Sequence, residues 1–325
     1  NAQDPMHGKR PFPWPHQLPK LVLLKKHEQR VLRISWCEGE PVSASVNPQD
    51  RVMGIRLESL VRAGSGIATL LRRRHAQGSL TVQLHDEDPQ IPCLRLDASN
   101  DDFNDPSRPL IPDPYCLMTG GYRSLRERMR LNPLPTWHER LPVAFWRGST
   151  TGSKDIDVNS LELNIRYQLA RLSRVWPDVL DARINRAVQC RNAQARSDVE
   201  LRLQQEGLLS PTVSPWHAAL HAWQIDIDGN VNSWGLLWKL LSGSCIIRVQ
   251  SLRRQWYHQR LQPWVHFVPA NADLSDLGDR LEWCRNHPQK CAAIAAGGQA
   301  LAEQVVQEVE GDLLSAGVRY AQAWM

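Results

Sequence analysis

Long hydrophobic runs are missing from this 325-residue chain. No window approaches the roughly 18 consecutive apolar residues of a bilayer span, which excludes the class of helical membrane proteins. Lysine is scarce: only seven of the 39 basic residues are Lys, so arginine carries the positive field. The net charge of +5 is too mild to point to nucleic acid, whereas an arginine fork suits a phosphorylated ligand. Cysteines are seven, odd in number and scattered (Cys37, Cys93, Cys116, Cys190, Cys245, Cys284, Cys291), which excludes a small disulfide framework and fits free thiols in a reducing compartment. No charged-then-apolar leader opens the chain. Asn1-Ala2-Gln3-Asp4-Pro5 before Met6 reads as an expression scar, and Pro11-Phe12-Pro13-Trp14-Pro15 follows.

What is present is an ordinary globular composition, 42% hydrophobic and 22% charged, long enough for about two domains. Residues 1–28 read as an extended basic segment with a Lys25-Lys26 pair. Strand-like pieces stand at Val31–Trp36 and Leu80–Leu84, around a helical spacing over Leu57–Arg74 that tolerates Gly64 and Gly66. Asn100–Tyr115 is an acidic, Pro-rich loop, and Leu134–Trp137 a linker. Beyond it come a short strand at Val143–Trp146, a helix over Ser160–Trp176, a strand at Gln224–Ile227, a helix over Trp234–Leu241 and a strand at Cys245–Val249. From Leu274 the chain reads as helix, broken at Asn286-His287-Pro288. Strands alternating with helices predict an α/β fold with parallel sheets.

Two constellations carry chemistry. Phe145-Trp146-Arg147-Gly148-Ser149-Thr150-Thr151-Gly152 ends a strand in small residues, hydroxyls and a guanidinium, which suits a phosphate; it lacks the Gly-Lys-Ser/Thr of a nucleotide-binding P-loop. A Gly-rich loop with a structural Arg is the competing reading. Asp226-Ile227-Asp228-Gly229-Asn230-Val231-Asn232-Ser233-Trp234 places a turn before a helix, followed by Leu240-Leu241-Ser242-Gly243-Ser244. Asn232 or Ser233 can cap that helix, whose free N–H groups favour an anion. Asp226 and Asp228 could instead hold a metal, since alternate strand residues share a face, or simply be capping acids. Cys284, His287 and Cys291 could line a helix face as ligands, but Pro288 breaks the helix and no fourth ligand is near, so core thiols are the better reading. Arg72-Arg73-Arg74 reads as a solvated helix end or as a contact for an anionic glycolipid.

These two motifs, followed in order by Gln262-Pro263-Trp264-Val265-His266-Phe267-Val268-Pro269 and Asp273-Leu274-Ser275-Asp276-Leu277, resemble glycosyltransferase family 90. That family includes fungal capsule-associated proteins, bacterial lipopolysaccharide glycosyltransferases and animal protein O-glucosyltransferases. The resemblance is close from Val143 to about Ala302 and looser from Leu57 to Tyr122. It implies a GT-B architecture, two Rossmann-like domains facing across a cleft: an acceptor-side domain over 29–138 and a nucleotide-sugar-binding domain over 139–325. It also implies an inverting, metal-independent enzyme with no cofactor beyond the UDP-sugar co-substrate. The donor would be held by Arg147, Gly148, Ser149, Thr150, Asp228, Gly229, Asn230, Asn232, Ser233, Trp234 and Ser244, with Trp264 as a further residue inside a motif.

The family places its catalytic base in a stretch of the form Asp, aromatic, Pro, Gln, Val. Here His85-Asp86-Glu87-Asp88-Pro89-Gln90-Ile91 matches with one extra residue, which assigns the base to Asp86 with Asp88 as nearest rival and Asp97, Asp101 and Asp102 farther off. Two positions depart from the animal members: Gly235 and Thr150 stand where those have arginine. Together with the absence of a retention tetrapeptide at Ala323-Trp324-Met325, this favours the bacterial lipopolysaccharide-type branch and a cytoplasmic location. The expected partners are a nucleotide sugar and a glycan or glycolipid acceptor, without nucleic acid and with at most peripheral membrane contact. A non-catalytic carbohydrate-binding protein on the same fold is the alternative.

Overall fold

The computed structural model describes residues 18–19, 21–23, 30–47, 50, 54–86 and 88–325. Most of the extended segment expected over 1–28, its Pro-rich run and Lys25-Lys26 lie outside the described residues, as does Glu87. The chain divides into two compact units, Asn1–Arg123 with Val306–Met325, and Ser124–Val305.

The first unit holds β1 (Leu21–Leu23), β2 (Val31–Trp36), β3 (Ser43–Val46), α1 (Ile55–Leu71), β4 (Gly78–Gln83), β5 (Ala98–Ser99) and α2 (Pro114–Met118). Its four-stranded sheet runs β1-β3-β2-β4, and only β1 and β3 are parallel; β2 is antiparallel to both its neighbours. The expectation of parallel strands throughout is therefore corrected here. The reason is the connection: residues 37–42 between β2 and β3 are too few for the dozen or so that a parallel crossover needs. Val31, Leu32, Ile34 and Trp36 are buried along β2. A Cβ at Gly64 of α1 would come within 2.7 Å of Ile34 Cγ1, so the glycine that weakens helix propensity is what lets helix and strand approach.

The second unit carries α3 (Arg123–Leu131, which starts at the unit boundary), β6 (Leu141–Ser149), α4 (Ile165–Val175), β7 (Leu180–Arg186), α5 (Ala193–Gln205), α6 (Pro215–Ala218), β8 (His221–Asp226), α7 (Leu236–Leu241), β9 (Cys245–Val249), β10 (Arg253–Arg254), β11 (Val268–Ala270) and α8 (Leu277–Asn286). The last helix, α9 (Pro288–Trp324), begins here and ends in the first unit. Five strands form one all-parallel sheet in the order β7-β6-β8-β9-β11. All of β8 is buried, as a central strand covered on both faces requires. The core gathers Ala144, Trp146, Ile184, Val199, Leu203, Ile225, Ile247 and Leu281, with Cys245, Cys284 and Cys291 as buried free thiols.

Strand order decides where a ligand can sit. From β6 the chain moves outward to β7, then returns to β6's other side to continue through β8, β9 and β11. The direction of winding thus reverses between β6 and β8. In open parallel sheets the crevice outside the carboxyl ends of the strands at such a reversal is where ligands bind.

Candidate active site at the strand-order reversal

Both sequence motifs lie at this reversal. Strand β6 ends at Ser149 and runs into Thr150–Gly152; β8 ends at Asp226 and runs into Ile227–Trp234. The loops touch directly: Gly152 N donates to Asn230 Oδ1 at 3.1 Å, and Gln189 Nε2 donates to the same oxygen at 2.9 Å. A Cβ at Gly229 would fall 2.5 Å from Thr151 Oγ1 and 2.9 Å from Arg166 Nη2, so a larger residue at the crossing would have to displace those side chains.

Arg166, on α4, clips them together. Its Nη1 donates to Thr151 Oγ1 (2.6 Å) and to the Ser149 carbonyl (3.2 Å), its Nε to the Asp228 carbonyl (2.8 Å), and its Nη2 to the Ile227 carbonyl (3.0 Å). Burial pushes its pKa down to about 10, opposed by Asp228 and Asp226, so it remains a cation at neutral pH. Sequence reasoning missed this residue. The signal available was an Arg near the start of the helix that follows the first motif.

Beneath the loops lies a buried charge cluster. Asp226 Oδ1 accepts from Lys239 Nζ at 2.8 Å, and Arg248 Nε stands 3.9 Å from Oδ2. Lys239 also donates to the Ile225 carbonyl. An ammonium group thus occupies the carboxylate that a metal reading would assign to a cation. Asp228 Oδ2 accepts from Ser251 Oγ at 2.5 Å, and Oδ1 accepts from Ser233 N at 3.2 Å. Burial lifts the Asp228 carboxyl to about 6; the Ser251 hydroxyl, the Ser233 N–H and Arg248 oppose the rise, and Asp226 adds to it. Among the described residues no group of three His, Cys, Asp or Glu side chains is placed to hold a metal ion.

The expected donor-binding residues are not all gathered here. Ser149, Asp228, Gly229, Asn230, Asn232, Ser233 and Trp234 stand on or at the ends of the two loops. Arg147 does not point to them. Its guanidinium turns toward the amino end of β7, where Nη2 meets Asp181 Oδ2 at 2.7 Å, Nη1 donates to the Trp146 and Asp181 carbonyls, and Nε donates to Ser210 Oγ. Gly148 adjoins it on β6. Thr150 is fully buried, with its hydroxyl donating to the Val188 carbonyl and accepting from Val188 N. Ser244 opens β9 at the opposite end of the sheet, in bonds with Gln224, Arg140 and the His221 carbonyl. A cavity of about 320 Å³ beside Val143, Leu180, Asp181 and His221 also belongs to those amino ends. Trp264 stands half-exposed, edge-on to Trp283 at 4.9 Å.

Several polar atoms around the second loop are buried and unpartnered: both amide atoms of Asn232, Gln255 Oε1, Trp256 Nε1 and His258 Nε2. An unmet buried polar atom costs about 1–3 kcal/mol, and the site concentrates several.

In the first unit, Asp86 Oδ1 accepts from Arg56 Nη2 at 2.8 Å, with 29% of the Asp86 side chain exposed. Its rivals Asp88 and Asp102 are both engaged with Arg95 and Arg108 in one ion-pair network. Asp97 is buried, and Asp101 is exposed.

Residues 119–311 match the profile of glycosyl transferase family 90. The chain belongs to glycosyl transferase family 90. It is 38% identical over 164 residues to the uncharacterized protein 035R of Invertebrate iridescent virus 3, covering 49% of this chain and 14% of that protein. It is 27% identical over 168 residues to protein O-glucosyltransferase 2 of Danio rerio, covering 52% of this chain and 30% of that protein. The match thus spans less than a third of either relative's length. Among solved structures, Anabaena Alr3699/HepE in complex with UDP-glucose is similar at 13% identity and a TM-score of 0.38, over 59% of this chain and 51% of that one. No helix among the described residues is long and apolar enough to cross a membrane.

Proposed function

We propose that this family 90 protein is an inverting glycosyltransferase that moves a glucose- or xylose-class sugar from a UDP-sugar to a hydroxyl of a glycan acceptor. The observation that carries this reading is the meeting of the two family loops, 149–152 and 228–234, at the reversal of strand order. Inversion is one in-line displacement: a base takes the acceptor hydroxyl proton, the oxygen bonds the anomeric carbon, and the nucleoside diphosphate leaves. Asp86 is assigned as that base, a role worth about 10²–10⁴ in rate. The loop residues Ser149, Asp228, Gly229, Asn230, Asn232, Ser233 and Trp234 are assigned to the donor, and metal independence is part of the reading, since Lys239 already neutralises Asp226. Assigning Arg147 to the diphosphate requires its guanidinium to leave Asp181, Ser210 and the two backbone carbonyls it now holds, after which its fork is free for phosphate oxygens.

The GT-B arrangement, with an acceptor-side domain over 29–138 and a donor domain over 139–325, belongs to this proposal. So do a lipopolysaccharide or capsule precursor as acceptor, the bacterial-type branch and a cytoplasmic location. A thermal-shift panel of UDP-, GDP-, ADP- and CMP-sugars, each with and without EDTA, tests it. A shift with a UDP-sugar that EDTA leaves intact supports the reading, and one lost in EDTA contradicts metal independence. The second reading, a carbohydrate-binding protein without turnover, rests on Gly235 and the buried Thr150, which supply no phosphate contact where animal relatives have arginine. Glycan binding without any nucleotide shift would select it.

A further inference from the structure

The unpartnered polar atoms near the second loop share a chemistry. Asn232 is 5% exposed, Gln255 0%, Trp256 7% and His258 6%, so solvent does not satisfy them. Gln255 Nε2 donates to the Ser233 carbonyl at 3.2 Å, which fastens the 255–258 turn beside Asn232 and fixes Gln255 Oε1 as the unmet acceptor. His258 Nδ1 meets Arg248 Nη2 at 3.1 Å. Burial first, then Arg248 and Arg254, hold this imidazole neutral, far below its ordinary pKa. A neutral ring that accepts at Nδ1 from a guanidinium carries its proton at Nε2, so the unmet atom there is a donor. The unmet set is therefore mixed: acceptors at Asn232 Oδ1 and Gln255 Oε1, donors at Asn232 Nδ2, Trp256 Nε1 and His258 Nε2.

A mixed neutral set does not suit a phosphate, which only accepts hydrogen bonds and calls for cations. It suits hydroxyl groups, each of which donates and accepts. We propose that Asn232 and the Gln255–His258 turn form the subsite that reads the hydroxyls of the sugar being transferred. This rests on the donor-binding reading above and adds a specificity role for residues 255–258. Buried groups that a hydroxyl satisfies also discriminate strongly against a donor lacking it, because the analogue leaves them unpaired.

Calorimetric titration of UDP and of UDP-glucose into the full chain, as wild type, Gln255→Met and His258→Phe, tests the subsite. The expected result is that both variants bind UDP as the wild type does and UDP-glucose roughly 10- to 100-fold more weakly. Retained UDP affinity doubles as the control for folding. If a variant fails to fold, single-deoxy analogues of UDP-glucose on the wild type carry the test: at least one should lose roughly tenfold or more in affinity. Equal weakening of UDP and UDP-glucose, or variants and analogues that all bind like the parents, overturns the subsite while leaving the donor reading intact. A wild type that binds neither UDP nor UDP-glucose overturns both.

Discussion

The guanidinium of Arg166 donates to the carbonyl of Asp228 at 2.8 Å while holding Thr151 and Ser149 of the other loop. One side chain therefore sets the spacing of two loops that are nearly eighty residues apart in sequence. Arg166→Met would leave several carbonyls without a donor, at about 1–3 kcal/mol each. Urea denaturation should show a loss of roughly 3 kcal/mol, and Arg166→Lys should recover little of it, since an ammonium cannot span the fork. A loss below about 1 kcal/mol would show that the loops hold their spacing without the clip.

Asp228 predicts a pH dependence. Its folded pKa of about 6 lies above the ordinary 3.8, so the folded state holds this proton more tightly than the unfolded chain does. The stability it contributes is full below about pH 4 and is lost as pH rises through 6. Asp228→Asn removes the titration. The variant should gain on the wild type by about 2–3 kcal/mol between pH 4 and pH 7, measured as the difference of their unfolding free energies. A difference that stays flat over that range would contradict the burial assigned to this carboxyl.

Lys239 and Asp226 form a buried pair, and buried pairs respond asymmetrically. Lys239→Met leaves the buried Asp226 carboxylate without its ammonium partner, with Arg248 Nε 3.9 Å away, costing about 3–5 kcal/mol. Adding Asp226→Asn should restore most of that loss. Equal damage in the single and double variants would mean that the lysine stem, not the charge, is what matters.

Asp181→Asn weakens the hold on Arg147. If Arg147 reaches the diphosphate by exchange, UDP-sugar affinity rises severalfold in this variant and Arg147→Ala loses affinity. Unchanged affinity in both variants would leave Arg147 as a clip between β6 and β7.

Asp86→Asn should lower transfer about 10²–10⁴-fold with donor affinity unchanged. Full transfer by a folded Asp86→Asn protein would move the base elsewhere.

Sequence pattern conveyed the second unit better than the first. The strands read at 143–146 and 245–249 stand inside β6 and β9, and that at 224–227 overlaps β8; Val143–Trp146 is a continuous apolar segment and Cys245–Val249 nearly one, as buried parallel strands are written, whereas Gln224–Ile227 alternates polar and apolar residues. β7 is not legible as a strand in the sequence: Leu180, Ala182 and Ile184 alternate inward, but Asp, Arg and Asn between them break the apolar run. The antiparallel course of β2 was hidden because β3, Ser-Ala-Ser-Val, carries too little apolar mass to register as a strand. In the candidate site, the loops were legible as motifs and their partners were not. Arg147 reads as a phosphate ligand within its motif, while its bonds to Asp181 and Ser210 leave no local trace in the sequence, and Arg166 carries no motif at all. Such pairings join strands and helices tens of residues apart, and no local spacing records them.

Hydrogen–deuterium exchange of the full chain with and without UDP-glucose tests the central claim most directly. The account predicts slowed amide exchange in peptides covering 149–153 and 228–235, undiminished by EDTA. Unchanged exchange in both loops at a saturating UDP-glucose concentration would contradict it.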